Sequence, residues 1–395
     1  MKNYRRHAAA AIAVLAVAAT AIIAPSPAGA APPVDVGQNT ASYIITLKAG
    51  ENSRSVAAVA KVTPAYVYEH ALNGFAATLN DGQLNALRHH KAVEAIEPDQ
   101  TITSDAFYTQ TTGSDGQPWG LDRIDQRSGL SRTYTYWMSG TYGMGTGVNA
   151  YVIDSGIATA NPDFGGRATN VYDAFGGTGQ DCLGHGTHVA GTIGGNRYGV
   201  AKNVQLKGVR VMGCDGTFPS AGLSAAIAGV DWVAGHAVKP AVANMSWHTT
   251  TGKSVALNTA TTNLVNSGVF VSVAAANDAK DSCNDSPSSA AGTVTVAASD
   301  SADTRASFSN YGACVDLYAP GLNITSDWLN GGVNTMSGTS MASPHVAGVA
   351  ALLKSDYGDQ TSATITSWIL NAASTNVIKG NITGTPNRLL YMNGW

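Results

Sequence analysis

Apolar and polar positions divide the chain into stretches of different period. Near the amino terminus, residues 8–24 are apolar at every position but Thr20, too uniform for a one-sided element. From residue 43 the pattern shortens. Tyr43 to Lys48, Gly74 to Leu79 and Val93 to Glu97 read as strands. Val56 to Lys61 is Ala/Val-rich and helix-compatible, and Asn80 stands as an N-cap before a helix over Gln83 to Arg88. Strands alternating with short helices predict a small α+β module over residues 43–103. Thr101 to Gln117 is rich in Thr, Ser, Gly and Asp and reads as an exposed linker.

Beyond Pro118 the apolar runs recur regularly. Val148 to Ile153, Gln205 to Val211, Val242 to Met245, Val269 to Ala275 and Thr293 to Ala298 are strand-like. Helical stretches such as Ala221 to Gly235 and Val255 to Ser267 lie between them. That alternation predicts an α/β domain with a doubly wound, mostly parallel sheet covered on both faces. Functional loops then belong at the carboxyl ends of the strands.

Composition narrows the setting. The chain has 395 residues, 44% apolar and 12% charged, which suits a buried core and excludes a disordered chain. A net charge of -3 and the absence of a basic run exclude a nucleic-acid partner. Lys2, Arg5 and Arg6 precede the apolar run, and Ala28-Gly29-Ala30 follows it with small residues. This is the pattern of a cleaved signal peptide over residues 1–30 rather than of a membrane anchor, and it predicts a secreted protein with no membrane association afterwards. Arg5-Arg6 hints at twin-arginine export, although its surroundings fit that signal poorly. Four cysteines, all beyond residue 180, fit an oxidising destination and allow three pairings.

Three segments frame a reactive side chain with small residues. Val152-Ile153-Asp154-Ser155-Gly156 ends an apolar strand with a carboxylate suited to orienting a histidine. Gly184-His185-Gly186-Thr187-His188 places an imidazole between two glycines. A zinc reading of His185 and His188 lacks the glutamate that zinc hydrolases set beside such a pair, so His188 reads as packed. Ser337-Gly338-Thr339-Ser340-Met341-Ala342-Ser343-Pro344-His345 turns sharply into a helix running to about Lys354, with His345 packed inside it.

In the order Asp, His, Ser these segments resemble the subtilisin family of serine peptidases, most closely its proteinase K-like branch. The resemblance implies that Ser340 is the nucleophile, His185 the general base and acid, and Asp154 the group that holds the imidazole. Val271 to Asp278 resembles the family segment whose asparagine donates to the oxyanion, here Asn277. The 43–103 module, with Leu72-Asn73-Gly74-Phe75-Ala76-Ala77, resembles the inhibitory propeptide. Pro118-Trp119-Gly120-Leu121-Asp122-Arg123 looks like the start of a mature enzyme. The peptidase domain is expected over 112–395, with maturation near Gln110 to Thr112 and no accessory domain after it. By the same resemblance Cys182 pairs with Cys214 and Cys283 with Cys314. Asp316, with the carbonyls of Ala291 and Thr293, matches a structural Ca²⁺ site. No cofactor is expected for catalysis. Peptides or proteins are the expected substrates, the propeptide the intramolecular inhibitor, and a monomer the default.

Departures from the family fall on the substrate cleft. One edge, usually Gly-Ser-Gly, reads Gly216-Thr217-Phe218. The opposite edge, usually Ser-Leu-Gly-Gly-Gly, reads Ser246-Trp247-His248-Thr249-Thr250. On the pocket wall formed by Ala274, Ala275 and Ala276, the last stands where the family has glycine. Bulk at those edges predicts narrowed specificity, or in the alternative a cleft-altered homologue that binds peptides or regulates more than it cleaves.

Overall fold

The structure, a computed structural model, describes residues 40–103, 107–108, 118–136, 138–139, 142–214 and 220–392. The signal-like segment lies outside the described residues. The N-terminal module contains β1 (Thr40–Leu47), α1 (Ser53–Val59), β2 (Tyr66–Tyr68), β3 (Gly74–Asn80), α2 (Asp81–Arg88) and β4 (Val93–Pro98), with sheet order β2-β3-β1-β4. Its strands bury both faces by alternation. Ile45, Leu47, Phe75 and Ala77 pack on Val56, Leu84 and Leu87 of the helices. Ile44 and Ala76 face the other way, into the core of the larger domain. Asn80 caps α2 as expected, accepting from the Gln83 N–H at 2.9 Å while its own N–H reaches the Gln83 side chain at 3.1 Å. Gly74 allows β3 to lie close on β1, since a Cβ there would stand 2.1 Å from the Ile45 carbonyl oxygen. The sequence pattern misses β2, whose three residues are too few to show a period and are fixed by pairing with β3.

The expected exposed linker is a correction. Thr101–Thr103 forms β5 and Phe107–Tyr108 forms β6. Ile102 is fully buried, so the polarity of the segment misled there: this apolar residue decides the place of β5, while residues 104–106 and 109–117 lie outside the described residues.

After helix α3 (Trp119–Ile124) and the hairpin of β7 (Met138–Ser139) and β8 (Tyr142–Gly143), the main sheet begins at β9 (Asn149–Asp154). It continues through β10 (Ala168–Asp173), β11 (Gln205–Arg210), β13 (Ala241–Met245), β15 (Phe270–Ala274), β16 (Val294–Ser299) and β17 (Leu317–Pro320), and ends with β20 (Ser374–Thr375) and β21 (Arg388–Leu389). Strand order is β10-β11-β9-β13-β15-β16-β17-β21-β20, parallel throughout except at β20. Helices α4 (His185–Gly194), α7 (Thr339–Tyr357) and α8 (Ser362–Ala372) cover one face, and α5 (Leu223–His236) and α6 (Val255–Asn266) the other. The split is visible within β9, where Ala150 and Val152 join the first core and Tyr151 and Ile153 the second.

The chain leaves β9 for β10 and β11 on one side, then crosses to β13 on the other. Strand order therefore reverses beside β9, and a crevice opens at the carboxyl ends there. Short strands line it: β12 (Ser220–Gly222), β14 (His248–Thr249), β18 (Ile324–Asp327) and β19 (Val333–Ser337).

Candidate active site

Asp154 is the last residue of β9 and fully buried. His185 is the first residue of α4, and its Nδ1 lies 2.8 Å from Asp154 Oδ1. Two close approaches set that ring. Gly184 has φ +89° and carries the Trp328 indole against its backbone. Gly186 lies so near Gly156 that a Cβ would stand 2.2 Å from its carbonyl oxygen. The glycines the sequence showed thus serve a turn and a contact, not exposure: His185 is about 1% exposed. Asp181 fixes the same loop. Its carboxylate accepts from the Leu183, Gly184 and Thr187 N–H groups, each at 2.9 Å, and from the hydroxyls of Ser155 and Thr187. Burial raises its pKa against these donors.

Ser340 occupies the second position of α7 and is also about 1% exposed. Its hydroxyl donates to the Ser246 carbonyl at 2.9 Å, while the Ser246 hydroxyl donates to the Ser340 carbonyl at 2.7 Å. Among the described residues His185 Nε2 has no hydrogen-bond partner. Rotation of Ser340 about χ1, between staggered wells, is what would turn its hydroxyl from Ser246 toward that nitrogen.

Asn277 follows β15. Its Oδ1 accepts from the Thr339 N–H at 2.8 Å and the Thr339 hydroxyl at 3.0 Å. With that oxygen committed, the amide can present only its nitrogen to another group. The Ala276 N–H donates to the same Thr339 hydroxyl at 3.1 Å. Ala276 has φ +80°, a conformation that favours glycine, which accounts for the glycine usual at this position. Ala274, Ala275 and Ala276 are all buried.

Two edges bound the cleft. Gly216, Thr217 and Phe218 lie outside the described residues, and the strand that lines this edge is β12. On the other edge Trp247 lies in the same apolar cluster as Ile102 of β5. It is about 1% exposed within the second core, and its Nε1 donates to the Ile153 carbonyl at 2.7 Å. His248 is buried on β14. Between the edges runs β5, antiparallel to both, with Thr103 opposite Ser220 on one side and His248 on the other.

The N-terminal module grips α5 and α6 with charge. Glu97 accepts from the Ser254 hydroxyl at 3.0 Å and the Ala256 N–H at 2.9 Å, at the start of α6. Burial raises its pKa. Asp99 takes the Ser224 N–H at 2.9 Å, at the start of α5. Both carboxylates therefore meet the positive ends of helices. In return Asp231 of α5 accepts from the N–H groups of Glu69, His70, Ala71 and Leu72.

Both expected disulfides form, Cys182–Cys214 and Cys283–Cys314. His188 bonds the Ile324 carbonyl and His345 the Met341 carbonyl, and burial pushes them down to about 3 and about 4. Both are packed residues, as expected. Among the described residues the Asp316 carboxylate accepts one hydrogen bond, from Thr295 N–H at 2.8 Å, and burial pushes it up to about 6. No group of three or more His, Cys, Asp or Glu converges among the described residues. A cation beside Asp316 would thus rest on one carboxylate and on carbonyls such as those of Ala291 and Thr293, a hard-oxygen set that fits Ca²⁺.

Thr339, Asp181, Ser155 and the second role of Ser246 escape the sequence reading. Only the short spacing of Asp181 to His185 and of Thr339 to Ser340 hinted at them.

A buried carboxylate on an imidazole, a helix-start serine and a fixed amide, all at the carboxyl edge of a parallel sheet, define a serine hydrolase of the peptidase type. Comparison makes the family specific. Residues 145–395 match the subtilase family and residues 42–105 the peptidase inhibitor I9 family. The chain belongs to the subtilase family. It is 49% identical over 330 residues to an extracellular serine proteinase of Thermus sp. (strain Rt41A), covering 82% of this chain and 77% of that one. It is 47% identical over 328 residues to alkaline serine exoprotease A of Vibrio alginolyticus, covering 82% of this chain but 59% of that protein's length. Proteinase R of Parengyodontium album is 40% identical over 359 residues, covering 89% and 88%. A crystal structure of a cold adapted subtilisin-like serine proteinase aligns with a TM-score of 0.66 at 48% identity, over 70% of this chain and 98% of that one.

Proposed function

We propose that this chain is a secreted serine endopeptidase made with its own inhibitor. Ser340 Oγ attacks the scissile carbonyl. His185 Nε2 takes its proton and returns it to the leaving amine, while Asp154 holds Nδ1–H and stabilises the imidazolium. The Asn277 amide nitrogen and the Ser340 backbone N–H receive the oxyanion. One observation carries the reading: a strand of the same chain, β5, fills the groove between β12 and β14, where a peptide would pair as the middle strand.

Pairing of β5 with β14 directly beside Trp247 supports catalysis over the alternative of a peptide-binding regulator, since that edge still accepts an extended strand. A fluorophosphonate probe tests the choice. Labelling of matured protein, abolished by Ser340→Ala, is expected; unlabelled matured protein would favour the regulator.

Export through the 1–30 signal fits the Thermus relative named as extracellular, and among the described residues no helix is long and apolar enough to cross a membrane. Ca²⁺ at Asp316 would serve stability alone. The enzyme works as a monomer with no cofactor in the reaction.

A further inference from the structure

Thr339 fixes the side chain of Asn277, but the main chain that carries Asn277 is held from elsewhere. We infer that Asn310 is the positioning residue of that main chain, and that through Asp285 it ties the Asn277 loop to the β14 edge of the cleft. This role rests on the peptidase reading above, in which the Asn277 amide receives the oxyanion.

The loop after β15 needs such a hold. Ala276 has φ +80° and Ala279 φ +54°, so residues with side chains stand in the left-handed region on either side of Asn277. A backbone in that region persists only where its surroundings over-determine it. The segment around Asn310 supplies those surroundings. The Asn310 N–H donates to the Ala276 carbonyl at 2.9 Å, and the Ala279 N–H donates to the Phe308 carbonyl at 2.8 Å. The Asn310 side-chain oxygen accepts from the Asp278 N–H at 3.0 Å and from the Lys280 N–H at 2.9 Å. One fully buried residue therefore brackets Asn277 on both sides.

The residue type follows from the bonds it makes. An amide oxygen accepts two N–H groups while its nitrogen remains a donor. That nitrogen donates to Asp285 Oδ2 at 3.0 Å. The next residue, Ser286, is bonded to β14: its carbonyl accepts from the Thr249 N–H at 2.9 Å, and its N–H donates to the Thr249 hydroxyl at 3.1 Å. The Cys283–Cys314 disulfide joins the same two segments covalently. An unbroken path of bonds runs from the β14 edge through Asp285 and Asn310 to the Asn277 loop. The edge that pairs with an extended strand and the proposed oxyanion donor are set by one chain of contacts.

Exchanging donor and acceptor tests this. Asn310→Asp keeps the acceptor for Asp278 and Lys280 but sets a second carboxyl against Asp285. Two carboxyls that close share one proton at low pH and repel once both ionise. The other charged or titratable groups facing Asp285 are His248 of β14 and Asp278 and Lys280 of the loop, and the substitution leaves them in place. The kcat of Asn310→Asp is read as its ratio to wild type at the same pH, which cancels the titration of His185. That ratio should lie within about 3-fold of unity at pH 6 and drop by about 10-fold or more at pH 9, with KM near wild type. Adding Asp285→Asn swaps amide and carboxylate across the same contact. The double variant should return kcat to within about 3-fold of wild type at both pH values.

An equal ratio at the two pH values, a loss carried by KM, or no recovery in the double variant overturns the role of Asn310. If Asn310→Asp alone does not fold, the double variant decides: folded protein with wild-type turnover supports the role, and anything less overturns it. Wild type that neither hydrolyses a peptide amide nor takes a fluorophosphonate removes the peptidase reading instead. Active wild type with an indifferent Asn310→Asp removes only the positioning role.

Discussion

Thr339 holds Asn277 by two hydrogen bonds to one oxygen, from its backbone N–H at 2.8 Å and its hydroxyl at 3.0 Å. Thr339, next to the proposed nucleophile, thus decides which way the amide nitrogen proposed to receive the oxyanion faces. Asn277→Ala should lower kcat by roughly 10²–10³ with little change in KM. Thr339→Val should lower kcat about 10-fold while leaving KM near wild type, since it removes only one of the two bonds that orient the donor. Thr339→Ser should restore most of the loss. Steady-state kinetics on a peptide amide decides this: equal losses in kcat and KM, or no rescue by serine, would reduce Thr339 to a packing residue.

Ala276 takes φ +80° and is buried, at the position the resemblance assigns to a wall of the substrate pocket. Ala276→Gly should relieve backbone strain and stabilise the protein by about 1 kcal/mol. It should also raise kcat/KM for large side chains on the acyl side of the cut more than for small ones. Denaturant midpoints and a series of peptides differing only at that residue check both effects.

Asp231 receives four consecutive N–H groups of the propeptide, from Glu69 to Leu72. Asp231→Asn keeps the shape and removes the charge that strengthens those bonds. Propeptide release should quicken several-fold, read as a shorter lag before full activity after processing. An unchanged lag would place the inhibitory grip elsewhere, on Glu97, Asp99 and β5.

Burial, with Asp163 nearby, pushes Asp327 up to about 8 despite the opposing pull of Arg167. An ordinary carboxyl titrates near about 4, so between about 4 and about 8 the folded protein binds one more proton than the unfolded chain. Stability from this group therefore falls as pH rises through that window, and the loss is complete above about pH 8. Asp327→Asn should match wild type near pH 4 and be the more stable at pH 9. Urea midpoints of the inactive Ser340→Ala background at the two pH values measure this; equal differences at both would refute it.

Asp316 has a raised pKa and, among the described residues, one protein donor, as a carboxylate kept for a cation would. A chelator should lower the Tm, added Ca²⁺ should restore it, and Asp316→Asn should abolish both responses. A chelator response that persists in Asp316→Asn would assign the ion to another site.

Much of this protein was set by local sequence. The period of the apolar runs gave the strands of β9, β11, β13, β15 and β16 and the helices between them, because alternation and burial on two faces leave a direct trace. The Asn80 cap and the small residues around Asp154, His185 and Ser340 were equally legible, since a turn or close approach admits few residue types. Family resemblance supplied the two cysteine pairs, which spacing alone left among three.

Other features depended on partners distant in the chain. Trp247 reads as bulk on a cleft edge, yet its indole turns into the core because the Ile153 carbonyl accepts its N–H there. Thr101 to Thr103 reads as linker, yet becomes a middle strand because β12 and β14 pair with it on either side and the core accepts Ile102. Thr339 and Asp181 look like ordinary loop residues until the fold brings Asn277 and the His185 turn against them. The sequence by itself determined which residues could do the chemistry. Only the tertiary structure decided what orients them and which stretch of the chain occupies their groove, since hydrogen bonds and burial between distant residues leave no periodic mark in either segment.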